Sequence, residues 1–211
     1  LIMAPAAVYG PTDAASPKPL IMTGSESPGT TNPEGGGNQA FRHSVMRVTI
    51  EIGADNPGAI GIDYLTNNRG ALSDVRIVNT DRKAHTGIAM RRPWPGPGLL
   101  RNVIVDGFKV GIDLVHYQYG MTFDGLLLRG QREAGIRNDN NILAISRLNS
   151  RGSVPVIKTT SNSGLVVVIG GSLRMTGQRG TSVTAIDSAS PLLLRNVTLR
   201  GFAAAIHDRS K

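Results

Sequence analysis

Two stretches of this chain, LLRNVIVDGFKVGI at 99–112 and LLRNVTLRGFAAAI at 193–206, share eight of fourteen residues across an offset of 94. A repeat at that remove constrains the fold more than any local propensity, because it means that one structural unit is used again. The interval is filled by looser versions of the same phrase. Each is a run rich in Val, Ile and Leu, then a Gly-bearing or polar corner, then a short run closing on Gly-Ile or a variant. The closing isoleucines are Ile62, Ile88, Ile112, Ile136, Ile157, Ile186 and Ile206, at intervals of 26, 24, 24, 21, 29 and 20 residues. The offset of 94 is therefore four turns of about 23.5 residues.

The longer runs are Val45–Ile52, Leu72–Val78, Leu100–Val105, Met121–Leu128, Ile142–Leu148, Leu165–Met175 and Leu192–Leu199. Their in-and-out alternation has period two, the strand signature. A leucine-rich repeat has a similar period, but it needs a fixed Asn and a helical return. Asn102 and Asn196 occupy matching places, whereas Ser73-Asp74, Asp124 and Arg147 stand there in other turns, and no helical periodicity is present. The pattern predicts an all-β fold: a right-handed single-stranded parallel β-helix of about seven coils, each of roughly 20–29 residues. Successive coils then lie about 4.8 Å apart. Equivalent residues stack as internal ladders, with Ile at the corner, Leu or Val along the strand, and Phe108 and Phe202 at the turn.

The β-helix is assigned to 41–211. Residues 1–40, with six prolines and the run Gly35-Gly36-Gly37, read as an extended N-terminal segment with a loop at 24–40 and one short strand at Leu20-Ile21-Met22. The chain opens on Leu1 and shows no signal peptide, and it reads as a piece of a longer protein. It has length for one sizeable core. There is no run of 18 or more apolar residues, so no membrane partner is expected. The net charge of +8 favours acidic partners, but no nucleic-acid module or basic run accompanies it. The chain has no Cys, no metal-ligand spacing, no G-x-S-x-G and no phosphate loop. No cofactor is expected.

In a stacked solenoid the strands are scaffold, and chemistry belongs to the loops that leave one corner. After the first three closing isoleucines the chain places Asp63, Tyr64, Asn68 and Arg69, then Arg91, Arg92 and Trp94, then Asp113, His116, Tyr117, Gln118 and Tyr119. Four of the five Trp and Tyr residues fall in this track, and aromatic faces beside polar groups suit sugar rings. For Tyr64, two residues past Ile62, an inward, structural place is expected. The residue just after each closing Ile forms an outward column: Asp63, Ala89, Asp113, Arg137, Lys158, Asp187 and His207. Asp63 and Asp113 are two coils apart, roughly 9–10 Å. That borders on the spacing of about 6.5–9.5 Å between the carboxyls of an inverting glycosidase. The alternative is a solvated column in which Asp113 offsets Arg137, and Lys158 offsets Asp187. His116 or Tyr117 could act as the base of a lyase, with Arg91, Arg92 or Arg137 offsetting a substrate carboxylate. The polar corner 137–141 reads as a tight turn or Asn ladder, with Asp139 kept as a substrate contact.

FRHSVMRVTIEIGADNPGAIGIDYLTNNRGALSDVRI (41–77), YGMTFDGLLL (119–128) and SPKPLI (16–21) resemble the pectate-lyase-like β-helix domain of glycoside hydrolase family 55 and its bacterial relatives. The resemblance implies action on β-1,3-glucan from the non-reducing end, in an extracellular, cell-surface or periplasmic setting. It also implies a second β-helix domain of the same full-length chain, which would hold the proton-donating Glu beyond Lys211. Asn68 stands where the family has a Gln. The expected partner is a polysaccharide. Three functions follow: hydrolysis of a β-1,3-glucan, lysis of an acidic polysaccharide, and non-catalytic carbohydrate binding of the adhesin or tail-spike kind.

Overall fold

A computed structural model describes residues 2–3, 13–24, 40–115, 119–177 and 182–210. Strands β1 (Ile2–Met3) and β2 (Lys18–Met22) come from the N-terminal segment. Long and short strands then alternate: β3 (Val45–Ile52), β4 (Ala59–Asp63), β5 (Gly70–Asn79), β6 (Thr86–Met90), β7 (Gly98–Asp106), β8 (Val110–Leu114), β9 (Met121–Arg129) and β10 (Ala134–Asn138). The series continues with β11 (Ile142–Gly152), β12 (Ile157–Thr159), β13 (Leu165–Met175), β14 (Thr184–Ser188), β15 (Leu192–Arg200) and β16 (Ala204–Asp208). Odd-numbered strands form one eight-stranded parallel sheet and even-numbered strands another. Together they make the right-handed parallel β-solenoid of about seven turns. From the N-terminal segment, β1 pairs with β3 and β2 with β4, so each adds a rung to the stack. Most of the loop at 24–40 lies outside the described residues.

The closing isoleucines stack in register, Ile21 on Ile62, Ile88, Ile112, Ile136, Ile157, Ile186 and Ile206. Those from Ile62 to Ile186 are fully buried. Opposite them the long strands present three inward ladders. One is Leu72, Leu100, Phe123, Ile145, Val168 and Leu194. A second contains Val75, Val103, Leu126 and Leu148, and a third Ile50, Ile77, Val105, Leu128, Ser150, Leu173 and Leu199. Each buried Leu or Ile contributes on the order of 1.5–3 kcal/mol of apolar burial. Phe108 belongs to this core, and Phe202, half-buried, packs against it.

The alternation of the long strands is not continuous, as period two alone predicts. It slips by one residue at Arg47, Asp74, Asn102, Gly125, Arg147, Gly170 and Asn196, all of which have φ between 52° and 75°. Pairing skips this position on every rung. A left-handed residue turns the chain, so two side chains in succession leave the core, as Arg101 and Asn102 do, before Val103 turns in again. Asn and Gly suit that conformation, and this explains the matching Asn102 and Asn196 without a leucine-rich frame.

Glycine is also required where a short strand meets both the next rung of its own sheet and the side chains of the long-strand sheet. A Cβ on Gly111 would lie 2.4 Å from the carbonyl oxygen of Gly135 and 3.2 Å from Leu128. Gly61 and Gly87 are crowded in the same way by Gly87 and Gly111. Gly111→Ala is therefore expected to cost about 2–3 kcal/mol of stability, since a backbone carbonyl cannot swing aside. The third inward ladder holds the opposite case. Ser150 is 5% exposed between Leu128 and Leu173, and its Oγ is buried without a hydrogen-bond partner among the described residues. Ser150→Ala should stabilise the fold by about 1 kcal/mol in denaturant titration, because it removes a desolvated hydroxyl.

Candidate functional site

The short strands end at one corner, and their last residues carry the outward column read from the sequence. Asp63 pairs in register with Ala89, Ala89 with Asp113, Asp113 with Arg137, Arg137 with Lys158, Lys158 with Asp187 and Asp187 with His207. Beyond β6 the chain runs Arg91-Arg92-Pro93-Trp94-Pro95-Gly96-Pro97. Prolines lack the N–H needed to continue a ladder, so the strand stops and Arg91 is set beside Asp113 on the next rung.

Arg91, Asp113, Leu114, Val115, Arg137, Asp139 and Thr160 line an open pocket of about 310 Å³. Asp113 is its electrostatic centre. Arg137 Nε donates to Asp113 Oδ1 at 2.8 Å, and Arg137 Nη2 donates to Oδ2 at 2.6 Å. Arg91 Nη1 donates to the same Oδ2 at 2.8 Å. Arg137 also donates through Nη1 to Glu133 Oε1 at 3.1 Å. This covering leaves Asp113 only 1% exposed, although its column faces outward. Burial pushes the Asp113 carboxyl up, but the hydrogen bonds and charge of Arg137 and the charge of Arg91 outweigh it and hold it below the usual carboxylate range. The same pairing holds the Arg137 guanidinium above its usual value. At the next corner Thr160 Oγ1 donates to Asp139 Oδ1 at 2.5 Å. The pocket thus contains two guanidiniums, two carboxylates and a hydroxyl, and its formal charges cancel.

The structure therefore gathers Arg91, Asp113, Arg137 and Asp139 of the residues singled out from the sequence. The others are placed elsewhere. Asp63 accepts from Arg92 Nε at 3.1 Å. Arg92 is buried, donates through Nη2 to the carbonyls of Thr23 and Asp63, and clamps the N-terminal segment to β4. Tyr64 is fully buried, and its hydroxyl donates to the His43 carbonyl at 2.9 Å. Burial pushes that phenol well above its usual range, in keeping with its inward place. Asn68 and Arg69 are exposed and consecutive left-handed residues, with φ of 50° and 81°, in the turn that opens β5. Trp94 and Tyr119 are partly exposed, at 37% and 46%, each with positive φ. His116, Tyr117 and Gln118 lie outside the described residues.

Asp113 and Arg137 do offset each other, but Lys158 and Asp187 do not. Asp187 instead accepts from Arg209 Nε at 2.8 Å and sits 3.1 Å from His207 Nδ1. The corner 138–141 is a tight turn in which Asn138 Nδ2 donates to the Asn141 carbonyl and the Asn141 N–H returns to Asn138 Oδ1. Below Asn138 in register stands Thr159, bonded to Ser188, so the ladder is of mixed polar residues rather than Asn alone. Thr160 was not singled out from the sequence. It stands three residues after Ile157, as Asp139 stands three after Ile136, so the repeat register itself brings the two together.

Asp113→Asn should lower stability by about 2 kcal/mol at neutral pH. A carboxyl with a depressed folded-state pKa contributes fully above its unfolded value, about 3.9, and loses that contribution as pH falls through the folded value. The gap between wild type and Asp113→Asn in urea unfolding should therefore be constant above about pH 5 and close below pH 4. A gap that stays open in acid would assign the effect to packing. Compared with protein-family models, characterised proteins and solved structures, the chain matches none.

Proposed function

We propose that this chain is the sugar-binding scaffold of a polysaccharide-active β-helix protein of the family 55 type, and that it takes a neutral β-1,3-glucan in the corner pocket. The carrying observation is the pocket itself. Arg91, Asp113, Arg137, Asp139 and Thr160, delivered by successive coils, surround about 310 Å³ with paired and mutually cancelling charges. A neutral chain of hydroxyls is served by such alternating donors and acceptors without an uncompensated charge.

The charge pairing weighs against Asp63 and Asp113 as a hydrolytic pair. Each is occupied by an arginine, and a general acid needs a carboxyl held up in pKa, whereas Asp113 is held down. It also weighs against a lyase, since the guanidiniums of Arg91 and Arg137 are already directed at Asp113. Turnover is accordingly not assigned to Asp63 or Asp113.

Laminarin should retard the protein in affinity electrophoresis, and Arg91→Ala or Asp139→Ala should weaken retention about fivefold to tenfold, roughly the loss of one or two hydrogen bonds. Absence of retention in the wild-type chain would remove the glucan reading. Reducing-sugar release from laminarin separates a hydrolase from a purely binding β-helix, and an absorbance gain on polygalacturonate would reinstate a lyase.

A further inference from the structure

Beyond the bend, the outer face of the long-strand sheet carries a second charged feature, unconnected with the corner pocket. Arg129 pairs in register with Arg151, Arg151 with Arg174, and Arg174 with Arg200. Four guanidinium side chains thus leave four consecutive rungs at one position, spanning about 14 Å along the axis. All four are exposed. None has an ion pair or side-chain hydrogen bond with any described residue. On the three preceding rungs the same column holds Glu51, Val78 and Asp106, and from β9 it is wholly basic.

Like charges directly opposite each other on neighbouring strands are destabilising. Elsewhere on this surface arginines interleave with acids: Asp124 stands within reach of Arg101 and Arg147, Asp113 takes Arg91 and Arg137, and Asp187 takes Arg209. The four-rung ladder has no acid within it. Beside it runs a second outward column, Leu127, Asn149, Ser172 and Thr198. Arg129, Arg151 and Arg174, with Leu127, Asn149 and Ser172, border a depression of about 250 Å³.

We infer that this face binds an extended acidic polysaccharide, a linear uronic acid chain lying along the solenoid axis. Guanidinium forks match carboxylates two bonds at a time. A uronate chain presents one carboxylate per sugar, so a bound stretch offers several anions to the four guanidiniums. Asn149, Ser172 and Thr198 supply the partners that sugar hydroxyls need. No aromatic side chain stands in either column, so the stacking platforms that single-stranded nucleic acid uses are missing from this face.

The test uses the chain as it stands, with polygalacturonate oligomers as probe and calorimetry as readout. Wild type should bind, and binding should weaken steeply with salt, since the pairs form on an open surface. Joint replacement of Arg129, Arg151, Arg174 and Arg200 by Gln should weaken it at least about tenfold, the equivalent of roughly 1.4 kcal/mol. The same variant should keep laminarin binding, and Arg91→Ala should keep polygalacturonate binding, which separates this face from the corner pocket. These are surface changes, so the circular dichroism melt should hold or rise. If the quadruple variant fails to fold, Arg151→Glu at the centre of the ladder carries the test and should lose binding on its own. Unchanged polygalacturonate affinity in the ladder variants would overturn the inference. So would tighter ladder-dependent binding of an oligothymidylate, which would reassign the face to nucleic acid.

Discussion

In-register parallel pairing between successive coils is the constraint from which the rest of this molecule follows. Each residue sits above its counterpart one turn back, so a choice made at one position is repeated as a column. Isoleucine becomes a buried ladder, and glycine a line of close approach between rungs. The pairing is not uniform along a coil. It lapses at the left-handed residues of the long strands, and that lapse bends each strand so that one sheet encloses the core from two directions. Without that turn the inward residues on either side of Asn102 could not both be buried, because period two alone would put them on opposite faces.

The same stacking governs the surface charges. Opposite charges on neighbouring rungs neutralise, and like charges accumulate. At the corner, Asp113 lies between Arg91 and Arg137 and is sealed by them. On the far face, four arginines follow one another with nothing between. A single physical rule thus produces a balanced pocket in one place and an unbalanced track in another. The two features differ in charge balance, a neutralised cluster at the corner and a cationic track along the face.

Much of the architecture was legible from the spacing of one residue type. The isoleucines that close each turn are the ones that stack, and the limits of β3 and β13 coincide with those of the apolar runs. The outward column from Asp63 to His207 also has the register expected of it. What escaped was the slip at the bend. Ser73-Asp74, Asp124 and Arg147 stand in the sequence where Asn102 and Asn196 do, yet Asp124 falls one residue short, opposite Arg101, and Gly125 takes the left-handed place; a mixed set of Asp, Asn and Arg does not announce that backbone as a run of glycines would. Exposure was misjudged for a similar reason. Asp113 points outward as predicted, yet it is sealed by side chains that reach across from other rungs, and Arg92 became a clamp on a distant segment.

The sequence by itself determined the period, and with it the coil, the inward ladders and the neighbours that each residue has above and below. Those are backbone relations, set by hydrophobic alternation and repeat length. Only the tertiary structure decided which charged side chains meet, because a guanidinium extends far enough from its Cα to choose among several rungs. That choice separated Asp113, enclosed by two arginines, from the run of Arg129, Arg151, Arg174 and Arg200, which has no ion pair among the described residues.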